Sequence, residues 1–376
     1  MSAVRFRLTD DQRALRDGVR EALARRFDGR ALRAAVEEAD GGGAAAARGV
    51  ARGAGAGPGR SEADGGGAGV ARAAAALGGG GHAGAGSSAG PAGAAGREAG
   101  RAAGPPPGAA GREAGRAAGP PRLDRGLWRA LGDLGFFALR VPEADGGVGL
   151  GLAEAVLVFE EAGRALLPGP LVATHLAAGA VPGAATGETV VAAVDGGLVE
   201  WLAEADAVLG DAAGAVPLRS LDPLTPLHRV PAARPAPDPV AILLTAAEQL
   251  GTAGRVCELA AQHARAREQF GRPIGAFQAV AHLCAGILVR AETARAAVYA
   301  AAVTADPADI AAARILADDA AVRGARDCLQ VHGGMGFTWE SEVHLHLKRA
   351  WVRTQRAGGV TESEELLAAA LAPETA

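Results

Sequence analysis

Apolar side chains recur at helical spacing in three separate parts of the chain. Near the start, Leu15, Val19, Leu23 and Phe27 repeat every four residues behind Thr9, a residue suited to cap a helix, so Thr9 to Phe27 reads as helix. Alanine, arginine and glutamate carry the helical tendency on to about Asp40. A second stripe, Trp128, Leu131, Leu134 and Phe137, precedes a glycine-rich connection, VPEADGGVGLG, and a further helix from about Leu152 to Ala165 that Pro168 and Pro170 stop. Thr189–Val194 and Ala207–Leu209 read as short strands, and the turn-rich stretch Leu218–Val230 has room for one or two more. The last third is helical throughout. One pattern runs from Val240 to about Gln269. Another runs from Phe277 to about Thr304, with Phe277, Val280, Leu283, Cys284, Ile287 and Leu288 on one face. A third opens with Asp306 as cap and Pro307 at the first helical position, then stops at Gly333-Gly334. A fourth runs from Val343 to about Arg356 and ends at Gly358-Gly359. Four helices with short connections predict an antiparallel bundle, and the fold class is mainly α.

Composition changes this picture in one place. Glycine makes up 56 of 376 residues, about twice its usual share. Much of it falls between Gly41 and Pro121, where GAAGREAGRAAGPP at Gly93–Pro106 is repeated letter for letter at Gly108–Pro121. Two copies without large apolar residues are too few for a solenoid, so 41–121 reads as a low-complexity, disordered insertion. The organisation is then an N-terminal helix at 1–40, the insertion, a continued N-terminal helical domain at 122–185, a reduced middle β-domain at 186–238 and the bundle at 239–376. Net charge is -4, which gives no basic patch for nucleic acid. The opening residues have no long apolar core, and no run of about 18 apolar residues occurs, so neither a signal peptide nor a membrane span is expected. Cys257, Cys284 and Cys328 are widely spaced and form no C-x-x-C site, which fits a reducing cytoplasm. His344 and His346 lie two apart in a helix and point to different faces, so no metal site is expected.

The chemistry concentrates in two segments of the bundle. One is Arg267-Glu268-Gln269-Phe270-Gly271-Arg272-Pro273-Ile274 with Phe277-Gln278 behind it. The other is Gln330-Val331-His332-Gly333-Gly334-Met335-Gly336-Phe337-Thr338. Each closes a helix with glycine and sets polar side chains at the break. Glycine admits a ligand close to the backbone, and an arginine beside it can pair with phosphate oxygens two at a time. That combination suits a dinucleotide's diphosphate. In their order and setting the two segments resemble the acyl-CoA dehydrogenase family, whose patterns R-x-Q-F-G-x-P-I-x-x-F-Q and Q-x-x-G-G-x-G-F-T they match. Phe6–Phe27 and the stretch Trp128–Gly149, with its W-x-x-L-x-x-L-G and V-P-E-x-x-G-G-x-G, extend the resemblance on either side of the insertion.

That resemblance implies an N-terminal helical domain, a small middle β-domain and a C-terminal four-helix bundle, with FAD at a subunit interface. It implies that Arg267 holds the FAD diphosphate of a neighbouring subunit, that Gln269, Phe270 and Gln278 line the same cofactor, and that Gln330, Val331, Gly333 and Gly334 line its adenosine side. It also implies an acyl-CoA substrate, α,β-desaturation, an electron-transfer flavoprotein as electron acceptor, and a homo- or hetero-oligomer. Two features depart from the family. With Arg349 in register, Gly358 stands where many members carry the glutamate that takes the α-proton. The middle region also lacks the T-E-P-x-A-G-S-D and W-x-T strands, leaving Trp201 alone there. Other members draw the base from the first bundle helix, where this chain offers Glu248, flanked by Ala246, Ala247 and Leu250. The alternative for Glu248 is an ordinary helix glutamate on the surface. The departures are similar to those of an actinobacterial-type subgroup in which two unlike subunits share a flavin. Two functions therefore follow from the resemblance: an FAD-dependent dehydrogenase with Glu248 as base, or a non-catalytic partner that completes another chain's flavin site.

Overall fold

The computed structural model describes residues 8–39, 122–231, 238–357 and 359–371. The repeat and the insertion expected at 41–121, and Gly358, lie outside the described residues.

Helix α1, Asp10–Arg26, starts where the pattern predicts. The Thr9 hydroxyl accepts from the Gln12 backbone N–H, and the Gln12 side chain in turn accepts from the Thr9 N–H. The chain breaks at Phe27 instead of running on. Asp28 accepts from the N–H groups of Arg30 and Ala31 and so starts a second helix, α2, at 29–39. Asp124 caps α3, Arg125–Asp133, in the same way. Trp128 and Leu131 are buried there, but Leu134 is 48% exposed, because the helix has ended and Gly135 turns the chain so that Phe136 and Phe137 enter the core. Helix α4, Leu152–Arg164, is followed by α5, Leu171–Ala177, a short helix that the sequence pattern does not predict.

The middle region is a five-stranded sheet: β1 Val191–Asp195, β2 Leu198–Glu200, β3 Ala207–Leu209, β4 Val216–Leu218 and β5 Leu227–Arg229. The strand order is β3-β1-β2-β5-β4, with only the β1–β3 pair parallel. Trp201 leaves β2 with φ 55, donates its N–H to the Pro226 carbonyl at 3.0 Å, and is buried in the main core. The lone tryptophan of the middle region therefore ties the sheet to the helices.

Three long helices follow: α6 Pro239–Ala266, α7 Gln278–Thr304 and α8 Pro307–His332. Asp238 and Asp306 cap α6 and α8, each with proline at the first position. Helices α9, Val343–Arg353, and α10, Gly359–Leu371, complete the bundle against α8. Its core is built largely from alanine. Ala253, Ala260, Ala294, Ala317, Ala320, Ala321 and Ala325 are all fully buried, so the helices approach closely without large side chains. This accounts for an ordered bundle in a chain with 3% aromatic residues. None of the described helices is long and apolar enough to cross a membrane.

Helix α4 crosses α6 at a contact made by glycine. A Cβ at Gly251 would lie 1.9 Å from the Glu160 carbonyl oxygen, and one at Gly163 would lie 2.0 Å from that of Glu248. The pairing 160 with 251 and 163 with 248 runs in opposite directions, so the two helices are antiparallel where they touch. This contact places Glu248 and the α4 carboxylates inside the molecule.

Candidate functional site

The two segments singled out by the sequence lie side by side at the far ends of α6 and α8. After α6 the chain forms a tight hairpin, β6 Glu268–Gln269 against β7 Arg272–Pro273, with Gln269 opposite Arg272. Phe270 and Gly271 make its turn at φ 53 and 75, a pair of left-handed conformations that fits a two-residue hairpin. Glycine adopts this freely, whereas phenylalanine is strained there. Phe270 is 91% exposed. Its ring meets only the edge of Phe277, 5.9 Å away, and Arg272 lies over the other ring at 4.3 Å. Arg267 caps α6 through its N–H to the His263 carbonyl, and its own carbonyl accepts from Ile274 at 2.8 Å, which closes the hairpin onto the helix. The side chains of Arg267, Gln269 and Gln278 are exposed.

Helix α8 ends at Gly333 with φ 60 and passes into a single turn of tighter helix, Gly333–Phe337. Gln330, Gly333 and Gly334 are exposed, and a Cβ on either glycine would meet nothing within 4 Å, so a flat ligand can lie on this backbone. Phe337 is 72% exposed beside Met335. Val331 differs from the expectation drawn from the family. The residue is 6% exposed, because it falls on the face of α8 that carries Cys328. The exposed guanidinium, amides and aromatic ring with two uncovered glycines fit the diphosphate and flat rings of a dinucleotide, and they are offered outward to another molecule.

Glu248 is elsewhere. Arg267 lies about five turns, roughly 28 Å, further along α6. Glu248 is 2% exposed and is not the lone carboxylate that its alanine neighbours suggest. One of its oxygens accepts from Arg353 Nη2 at 3.0 Å, and the other lies 3.5 Å from Arg356 Nη1. Arg356 also approaches Glu200 at 3.2 Å and Asp195 at 3.7 Å. Against the cost of burial, Glu200, Glu248 and Asp195 together hold Arg356 above its ordinary pKa. Burial pulls the Arg353 guanidinium down to about 10 despite Glu248 beside it. Burial also pushes the Glu200 carboxyl up, with Arg356 opposing. Asp195 accepts the Ala357 N–H with both oxygens, at 2.6 and 2.8 Å. This network of three carboxylates and two guanidinium groups surrounds the start of the α9–α10 connection. Nothing in the sequence near Glu248 signals it, since its partners come from β1, β2 and α9. Arg349, the register mark for the family comparison, is buried on Asp222 and on the Leu167 carbonyl.

A cavity of about 580 Å³ lies beside this network, between the sheet and α9. Leu198 and Leu227 line it from the strands, Trp351 and Gln355 from the α9 side, and Arg219 and Arg229 lie at its polar wall.

Comparison with known proteins shows one family across the chain. The family model for the acyl-CoA dehydrogenase C-terminal domain matches residues 242–370, and that for the N-terminal domain matches residues 108–189. The chain is 39% identical over 265 residues to acyl-CoA dehydrogenase IpdE2 of Mycobacterium tuberculosis, covering 60% of this chain and 80% of that protein. It is 36% identical over 279 residues to acyl-CoA dehydrogenase FadE34 of the same organism, covering 60% of this chain and 39% of the larger protein. Among solved structures, the ChsE4-ChsE5 complex from Mycobacterium tuberculosis contains a chain that superposes with a TM-score of 0.57 at 26% identity, covering 67% of this chain and 89% of that one.

Proposed function

The chain belongs to the acyl-CoA dehydrogenase family, whose cofactor is FAD, and from that premise we propose that it is one subunit of a dehydrogenase that forms a 2,3-enoyl-CoA and shares its flavin with a second chain. One observation carries the proposal. The residues that match the family's flavin motifs face outward at one end of the bundle, while the sequence has glycine in the register of the family's glutamate and the buried Glu248, about 28 Å back along α6, is bound to Arg353 and Arg356.

In this reading Arg267 pairs with the diphosphate of a cofactor seated mainly on the second subunit. Gln269 and Gln278 would donate to it, Phe270 would cover it from water, and Gln330 with the backbone of Gly333 and Gly334 would receive its adenosine part. FAD, when bound, supplies the hydride acceptor. The cavity between sheet and α9 is the place in this chain for the acyl thioester, with Arg219 and Arg229 available to an anionic group. Electrons leave to an electron-transfer flavoprotein. Support for the two-chain assembly comes from the structural relative, which is itself a complex of two named proteins.

Glu248 as the base is the second reading. It rests on the family's use of the first bundle helix and on the burial of this carboxylate. The geometry favours another role. Both oxygens are engaged by guanidinium groups, and the side chain fixes the end of α9 through Arg353 and Arg356. On the leading reading the α-proton acceptor belongs to the second chain.

Flavin content and anaerobic flavin reduction by acyl-CoA test both readings. The protein purified alone is expected to be colourless, and yellow when co-expressed with a second acyl-CoA dehydrogenase-like chain that completes the pocket. Full FAD occupancy of the chain alone would refute the shared pocket. In the yellow complex, Glu248→Gln is expected to lower thermal stability while flavin reduction stays within a few-fold. A loss of about 10²–10⁴ in reduction rate at unchanged FAD content would make Glu248 the base.

A further inference from the structure

Between the two flavin segments lies a contact that their sequence motifs do not contain. The imidazole of His263, on the last turn of α6, stacks on that of His332, the last residue of α8, with ring centroids 4.1 Å apart and planes 19° from parallel. Each ring stands on the helix turn that leads into one of the segments. The His263 backbone carbonyl accepts the Arg267 N–H at 2.9 Å, so the ring is one turn from the residue that begins the hairpin. His332 directly precedes Gly333. Its Nδ1 lies 2.8 Å from the Cys328 carbonyl oxygen and donates to it, which leaves Nε2 without a proton in the neutral ring. On the other side the turn after α8 folds back onto His332. A Cβ on Gly336 would lie 3.1 Å from the His332 Cβ, so glycine is what lets the turn close there.

We infer that His263 and His332 are positioning residues: their stack locks the Arg267 hairpin and the Gly333–Gly334 turn into one unit, and so sets the spacing of the two surfaces that would grip a dinucleotide's diphosphate. The link to the dinucleotide rests on the shared-flavin reading; the link between the two segments does not.

The stack requires neutral rings, because two imidazolium groups at this distance repel. Burial, His332 and Arg267 all pull the His263 pKa below its ordinary value. The charged groups around the pair are Arg267 on α6 and, across a small cavity that reaches His332, Arg33 from α2 with Glu340 and Glu342 ahead of α9. Acidification sufficient to charge His263, which its surroundings hold below the ordinary imidazole range, therefore loosens the stack.

Amide hydrogen exchange on the full chain, read for 264–277 and 330–340 and corrected for intrinsic rates, tests this. In the wild type both segments are expected to speed up together between pH 7.5 and 5.5, by up to about tenfold, the worth of one aromatic stack. In His332→Phe a charged His263 meets an uncharged aromatic face that attracts a cation, so both segments should stay slow at both values. His332→Ala should make both fast at both values. Independent behaviour of the two segments, or an unchanged acid response in His332→Phe, overturns the inference. FAD titration of the complex with its second chain is the other arm. His332→Ala is expected to weaken FAD several-fold, and unchanged FAD affinity in that variant also overturns it. If the exchange results hold while the wild type binds no FAD in any assembly, the coupled unit stands and the shared-flavin reading falls.

Discussion

Replacing Gly251 by alanine sets two physical effects against each other at one position. Gly251 sits in the middle of α6, where helix propensity alone favours alanine by about 0.8–1.0 kcal/mol. The new Cβ would lie 1.9 Å from the Glu160 carbonyl oxygen and 2.7 Å from the Arg164 backbone nitrogen. Both are backbone atoms of α4 and cannot rotate away. Relief requires the helices to part by roughly 1.5 Å, which loosens a fully buried seam that includes Phe159, Val156, Leu244 and Ala247. Overpacking of this kind costs about 1–3 kcal/mol and sometimes more, so the clash at least cancels the propensity gain and the net loss is up to about 2 kcal/mol. Gly254, one turn on, provides the control. A Cβ there meets only the end of the Arg295 side chain at 3.6 Å, so Gly254→Ala should gain up to about 1 kcal/mol. Gly163→Ala should lose about as much as Gly251→Ala, because its Cβ would meet the Glu248 backbone. The double variant Gly163→Ala/Gly251→Ala should lose less than the sum, since helices already parted for one methyl accommodate the second. Thermal unfolding measures all four, at about 2–4 °C per kcal/mol for a domain of this size. A Gly251→Ala protein as stable as Gly254→Ala would refute the close helix contact and the position of Glu248 that depends on it.

Two more outcomes follow from buried polar groups. His175 is buried against Phe159, and burial, with Arg140 nearby, pulls its pKa down to about 4, while burial also pulls His346 well down. A histidine held neutral in the folded state stabilises fully above its unfolded value near 6.5, and that contribution is lost as pH falls toward the folded value. For His175 the loss between about pH 6.5 and 4 is at most about 3 kcal/mol. Urea unfolding at pH 7.5 and 5.0 should show the drop, and His175→Phe should reduce it. Tyr299 donates its hydroxyl to Glu160 Oε2 at 2.7 Å in the same cluster as Arg295, so Tyr299→Phe should cost about 1–2 kcal/mol in the same assay. An unchanged midpoint would show that the Glu160 carboxylate is satisfied without it.

Local signals carried the helices and the exposed motifs. The hydroxyl of Thr9 and the Asp306-Pro307 pair each act on backbone within one turn, so a short window of sequence contains both partners of the bond. The hairpin at Phe270-Gly271 and the open turn at Gly333-Gly334 are also local, and their side chains face outward with no need of distant partners. The misread positions each depend on something beyond the window. Leu134 belongs to the predicted stripe, but the helix ends at Asp133 and the left-handed Gly135 turns Phe136 and Phe137 inward in its place. Val331 carries a motif match, yet the packing of α8 on its neighbours decides which way it points. The surroundings of Glu248 show the same limit at its largest scale. Alanines on either side suggest an isolated buried carboxylate, whereas Arg353 and Arg356 arrive from more than 100 positions away.

That last case bears directly on the chemistry. Three carboxylates converge on the start of the α9–α10 connection, and each is committed. Asp195 takes the Ala357 N–H, where the backbone has a left-handed φ of 49 that an alanine adopts only under constraint. Glu248 takes both arginines, and Glu200 takes Arg356. Buried ion pairs contribute little net stability compared with apolar packing, but removing one partner leaves a charge stranded and costs about 3–5 kcal/mol. Such a network is suited to fixing a backbone position and poorly suited to handing a proton to and from a substrate. The network therefore gives Glu248 a structural role at the α9–α10 connection, and on that ground Glu248→Gln is expected to cost stability before it costs flavin reduction.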